Sequence, residues 1–103
     1  MTLGDWRAKV DEIDAAIVRL LNDRAACAVA IGHLKQQEHV AVYQPERERE
    51  VIERVRALTV ASGGPLGPGA MARLFERIID EARGLEIARV SDRDQDEHNG
   101  NAR

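Results

Sequence analysis

The feature that most constrains this chain is an apolar repeat: Trp6, Val10, Ile13, Ile17, Leu20, Arg24, Cys27, Ile31 and Leu34 follow one another at alternating steps of four and three. That is a heptad seam, and it predicts a helix whose apolar stripe seeks another helix. No proline interrupts residues 5–36, and Gly32 is the only glycine among them. One helix of about 30 residues, roughly 45 Å long, is the economical reading. A rod of that length cannot be packed within a 103-residue globule alone, so the seam predicts pairing with a second copy.

Beyond the rod, the segment QEHVAVYQ (37–44) loses the helical period and reads as a connector with a short extended piece. Pro45 then suits the first turn of a second helix, where its missing N–H is harmless, and Glu46 complements the helix dipole. Its inward residues are expected to be Val51, Ile52, Val55 and Leu58. The stretch SGGPLGPG (62–69) must break the chain. A third helix is predicted from about Pro68, with Met71, Leu74, Phe75, Ile78, Ile79, Ala82 and Leu85 on one face. Residues 91–103 are polar with almost nothing to bury, and are expected to fray as a flexible tail behind a single domain over 1–90. The fold class is therefore all-α, with one long helix and two shorter ones.

Composition narrows the function. A net charge of −3 with both signs interspersed lacks the positive field of a nucleic-acid binder. The lone Cys27 excludes an intramolecular disulfide and, within its apolar pattern, reads as a small buried hydrophobe. The N-terminus has no basic stretch followed by an apolar core, and no run approaches a membrane span, so a soluble cytoplasmic protein is expected. His33, His39 and His98 form no metal-ligand spacing, Ser62 and Ser91 lie in breaker or tail segments, and no glycine-rich loop joins a strand to a helix. Nucleophilic, metal-dependent and nucleotide-dependent chemistries all lack their parts.

Several charges stand where apolar residues belong. Arg24 occupies a seam position, and an unpaired guanidinium there is costly; on that ground alone it reads as a structural ion pair or a side chain snorkelling at the packing edge, with an anion site as the alternative. Lys35 lies 11 residues later, close to three full turns, and so shares that face. Glu48 falls in helical step with Val51, Ile52 and Val55. Two cations and a carboxylate on inward faces suggest a polar pocket. Arg7 lies about 25 Å along the helix from Arg24, too far to share a small ligand within one subunit. Antiparallel pairing of two long helices would bring the neighbour's Arg7 to that pocket. Glu86, four after Ala82 and seven after Ile79, also leans toward the buried side, but from pattern alone it reads first as a flank residue pairing with Arg83 or Arg89 in solvent. Arg47 and Arg49, flanked by glutamates, read from pattern alone as solvated helix charges.

The order of WRAKVDEIDAAIVRLLNDRAACAVAIGHLK, VYQPERE and GPLGPGAMARLFERIIDEARGLE resembles the all-helical AroQ class of chorismate mutases over about residues 5–88. The resemblance implies an intertwined homodimer of three-helix subunits in which each active site borrows an arginine across the interface. It implies that Arg7 of the partner subunit and Arg24 clamp the two substrate carboxylates. Lys35 then contacts the ether oxygen and a carboxylate, and Glu48 accepts a hydrogen bond from the ring hydroxyl. Gln44, Arg47, Ala82 and Glu86 complete the implied substrate contacts. The implied reaction converts chorismate to prephenate, in phenylalanine and tyrosine biosynthesis, by an intramolecular [3,3] rearrangement that needs no cofactor and no metal. Only the acid form of Glu86 can donate to the ether oxygen, so activity is expected to decline with rising pH.

Three positions depart from the family pattern. Gln44 replaces a common aspartate and is similar to the neutral residue of relatives acting on amino-substituted chorismate. Ala82 replaces a frequent serine, and Glu86 takes the place of a glutamine in some members. Mutase action on 4-amino-4-deoxychorismate, pyruvate elimination from isochorismate, and a non-catalytic dimerisation module whose inward charges are ion pairs stand as alternatives. Docking to another enzyme of the same pathway is left open.

Overall fold

The structure, a computed structural model, describes the backbone of residues 1–101 and the side chains of residues 1–88. It contains three helices: α1 (Leu3–Gln37), α2 (Pro45–Ser62) and α3 (Pro68–Asn101). The polar segment 91–103, expected to fray, lies outside the residues whose side chains are described.

Each helix boundary has a local cause. At the start of α1 the Asp5 N–H donates to Thr2 Oγ1 at 3.1 Å and the Thr2 N–H donates to Asp5 Oδ2 at 2.9 Å, a reciprocal capping box. At its end His39 turns into the left-handed region (φ 57°), and the Val40 N–H reaches back to the Lys35 carbonyl at 2.8 Å. The connector is a turn and bend, without the expected extended piece. Pro45 opens α2, and Gly63 closes it at φ 56°, a conformation that costs glycine nothing.

α3 is the shared neighbour. It packs on both α1 and α2, while among the described residues α1 and α2 do not pack directly on each other. Val51, Val55 and Ile79 form the buried core between α2 and α3, with Ile52, Met71 and Phe75 partly buried against it. The α2 face differs from expectation by one position. Leu58 is exposed, and the buried residue is Thr59, which continues the steps of four from Val51 and Val55. Its hydroxyl is satisfied by donating to the Val55 carbonyl at 2.8 Å, so a threonine can take an apolar place. On α3, Leu74 is likewise exposed and Ala72 buried.

On α1 the only buried residues are Ala28 and Gly32, small residues that admit α3 at close range. The heptad seam runs beside that face and is left largely uncovered by it. Its large members, from Trp6 to Leu34, are each 46–59% exposed in the single chain. Cys27, expected to be buried, is exposed with them, because α3 covers the face beside the seam and not the seam itself. The molecule is accordingly thin, 64 × 31 × 15 Å, with a radius of gyration of 18.2 Å against about 13 Å for a compact domain of this length.

Candidate active site

Where α1 and α2 stand apart over α3, the three helices and the connector enclose a cavity of about 460 Å³. α1 contributes Arg24, Ala28, Ile31 and Lys35, all on the face that the steps of three and four place together. Val42 and Gln44 enter from the connector, and Arg47, Glu48, Val51 and Arg54 from α2. Ile79, Ala82, Arg83 and Glu86 line it from α3. Seven of the eight residues singled out from sequence therefore converge: Arg24, Lys35, Gln44, Arg47, Glu48, Ala82 and Glu86. The eighth, Arg7, is exposed near the start of α1 and does not line its own chain's cavity.

Among the described residues the wall carries five cations against two carboxylates, an excess of three positive charges that suits a dianion. Lys35 is largely withdrawn from solvent. Its ammonium donates to the Val42 carbonyl at 2.9 Å and to Glu86 Oε2 at 3.2 Å, which leaves one of its three donors for a ligand. Glu86 is buried and pairs with Lys35, whereas the pattern places it in solvent.

Glu48 is held differently. Arg83 Nε donates to its Oε2 at 2.9 Å and Arg83 Nη2 to its Oε1 at 2.7 Å, a bidentate fork between α3 and α2. Arg83 also donates to Asp80 at 3.1 Å and lies over the Tyr43 ring, 5.1 Å from its centroid. Its hydrogen bond with Glu48, opposed by burial and reinforced by the charges of Glu48 and Asp80, raises the Arg83 guanidinium above its ordinary value. The guanidinium therefore stays charged.

Arg24 is the exception. It is half-buried on the cavity wall, and among the described residues it has no hydrogen-bond or ion-pair partner in the protein. Gln44 is similarly uncommitted: it stands at the N-cap of α2 without a capping bond and lines the cavity. Arg47 sits at the rim, 60% exposed, and pairs with Glu50 at 3.3 Å. Ala82 offers only a methyl group. Among the described residues no three of His, Cys, Asp or Glu gather as metal ligands, and no helix is long and apolar enough to cross a membrane.

Sequence reasoning missed Arg83 and Arg54 as wall residues. Both carried a usable signal, since Arg83 lies four after Ile79 and Arg54 three after Val51, the same steps that singled out Glu86 and Glu48.

Comparison with known proteins places this geometry in a family. The family model described as chorismate mutase type II matches residues 6–87. The chain is 46% identical over 80 residues to a bifunctional chorismate mutase/prephenate dehydratase of Neisseria gonorrhoeae, covering 78% of this chain and 21% of that protein. It is 36% identical over 84 residues to a chorismate mutase of Methanocaldococcus jannaschii, covering 82% of this chain and 83% of that one. The solved form II structure of chorismate mutase from Thermus thermophilus superposes with a TM-score of 0.77 at 28% identity, covering 82% of this chain and 92% of that one. The chain thus spans about a fifth of the bifunctional relative but most of the free-standing ones. With the family model covering residues 6–87 and a chorismate mutase matched over 83% of its own length, the chain belongs to the type II, all-helical chorismate mutase family.

Proposed function

We propose that this chain converts chorismate to prephenate in the cavity between α1, α2 and α3, as a homodimer in which Arg7 of the partner subunit completes each site. The observation that carries the reading is Arg24. A half-buried guanidinium with no partner among the described residues is costly to desolvate unless an anion meets it, and chorismate supplies two carboxylates.

The chemistry asks for positioning and charge, not for a nucleophile. The enolpyruvyl side chain must be held over the ring in a reactive conformer, and negative charge grows on the ether oxygen as the C–O bond lengthens. Arg24 and Arg7 of the partner subunit hold the carboxylates, with Arg47 at the rim. The spare donor of Lys35 meets the ether oxygen. Glu48 accepts from the ring hydroxyl through lone pairs that the Arg83 fork leaves free. Glu86 accepts from Lys35 in the structure, and donation from Glu86 to the ether oxygen requires its acid form.

Dimerisation follows from the exposed seam. Covering each half-exposed Trp, Val, Ile or Leu of α1 with a second α1 contributes roughly 1 kcal/mol, and an antiparallel pair brings each Arg7 toward the other chain's Arg24.

Incubating the purified protein with chorismate, 4-amino-4-deoxychorismate and isochorismate, and following products, tests the activity. Prephenate from chorismate supports the reading. Preference for the amino compound would assign specificity to the uncommitted Gln44 amide, and no turnover of any of the three would favour a non-catalytic dimerisation module.

A further inference from the structure

We propose that Arg83 is a positioning residue that fixes the Glu48 carboxylate in the cavity wall; the role rests on the proposed mutase activity. Glu48 is a flexible side chain on a half-open wall, 26% exposed, and left alone it would rotate among several conformers. Arg83 removes that freedom. Its two parallel bonds at 2.9 and 2.7 Å set both the position and the plane of the carboxylate. Arg83 is in turn braced from two other directions, by Asp80 on its own helix and by the Tyr43 ring from the connector. Tyr43, Arg83 and Glu48 thus tie the connector, α3 and α2 together at one point of the site.

The fork has a second consequence. A bare carboxylate facing a dianion would repel it, whereas a carboxylate compensated by its own guanidinium presents acceptor lone pairs without adding net negative charge. Glu48 can then discriminate a ring hydroxyl by hydrogen bonding while the cavity keeps its positive excess for the carboxylates.

The test compares R83M, R83K, E48Q and R83M/E48Q with the wild type by chorismate kinetics and thermal melting. R83M is expected to lower kcat roughly ten- to a hundredfold, the scale of a misplaced contact, with KM changed by less than about threefold. R83K, which keeps the charge and one bond, recovers part of the loss. Adding R83M to E48Q costs little more, because the residue it positions is already altered. Should E48Q fall to the uncatalysed rate, the kcat-to-KM split and the lysine rescue decide. Folded R83M with wild-type kcat, or a loss that multiplies unchanged onto E48Q, overturns the proposal. Wild-type turnover is measured first: its absence overturns the mutase reading, whereas an active wild type with an indifferent R83M overturns only the role of Arg83.

Discussion

Gly32 of α1 lies directly against Glu86 of α3: a methyl group added at Gly32 would sit 3.2 Å from Cβ and Cγ of Glu86 and 3.3 Å from its Cα. That spacing is tighter than ordinary packing, and one of the three atoms is backbone, so α3 itself must shift to accept it. The glycine is what lets Glu86 come within 3.2 Å of Lys35.

Two effects compete in Gly32→Ala. Alanine gains about 1 kcal/mol of helix propensity, and overpacking costs about 1–3 kcal/mol. The net expectation is a loss of up to about 2 kcal/mol in denaturant unfolding, together with a several-fold fall in kcat as Glu86 is pushed from Lys35. Unchanged kcat in a protein of unchanged stability would show that the close approach serves neither packing nor the site.

Arg24→Ala separates a ligand site from a structural ion pair. Because Arg24 has no partner among the described residues, stability is expected to change by less than about 0.5 kcal/mol. By contrast, kcat/KM is expected to fall roughly a hundredfold or more, the cost of losing a charge-assisted contact to a substrate carboxylate. Chemical denaturation and chorismate kinetics on the same preparation check both. Marked destabilisation with intact turnover of the folded fraction would return Arg24 to the structural reading.

Much of this site was legible in the sequence because helical steps are local. The repeat from Trp6 to Leu34 announced α1, Pro45 and the glycine-proline run marked the starts of α2 and α3, and Arg24, Lys35, Glu48 and Glu86 were each in step with apolar neighbours. What escaped was pairing across elements. Nothing in the local pattern tells Arg83 to choose Glu48, 35 residues away, over Glu86 three residues away. Nor does a heptad say which neighbour covers it: α3 took the Ala28–Gly32 face and left the seam open, so Cys27 is exposed. Thr59 displaced Leu58 from the core because its hydroxyl could bond within its own helix, a compensation that hydropathy does not register.

The N-terminal cap of α1 carries a pH dependence. Hydrogen bonds from the Thr2 backbone, and secondarily its side chain, hold the Asp5 carboxyl below its ordinary value of 3.8. A folded-state value below the unfolded one means that the stabilisation is complete above the unfolded value and is lost as pH falls through the folded value. Asp5→Asn should therefore melt below the wild type at about pH 6, and the two melting temperatures should begin to converge below 3.8 and meet only once the pH has fallen through the lower folded value. A difference that persists undiminished in acid would mean that the Asp5 charge is not what the cap uses.

The most direct measurement is subunit complementation between Arg7→Ala and Arg24→Ala. Each variant alone should be nearly inactive, since every site in either homodimer lacks one clamp. Unfolded together in equal amounts and refolded, half the dimers should be mixed, each with one site whose own Arg24 and borrowed Arg7 are both intact. About a quarter of wild-type turnover is then expected. Full activity in Arg7→Ala alone, or no recovery from a mixture shown to have exchanged subunits, would contradict a site shared between two copies of the chain.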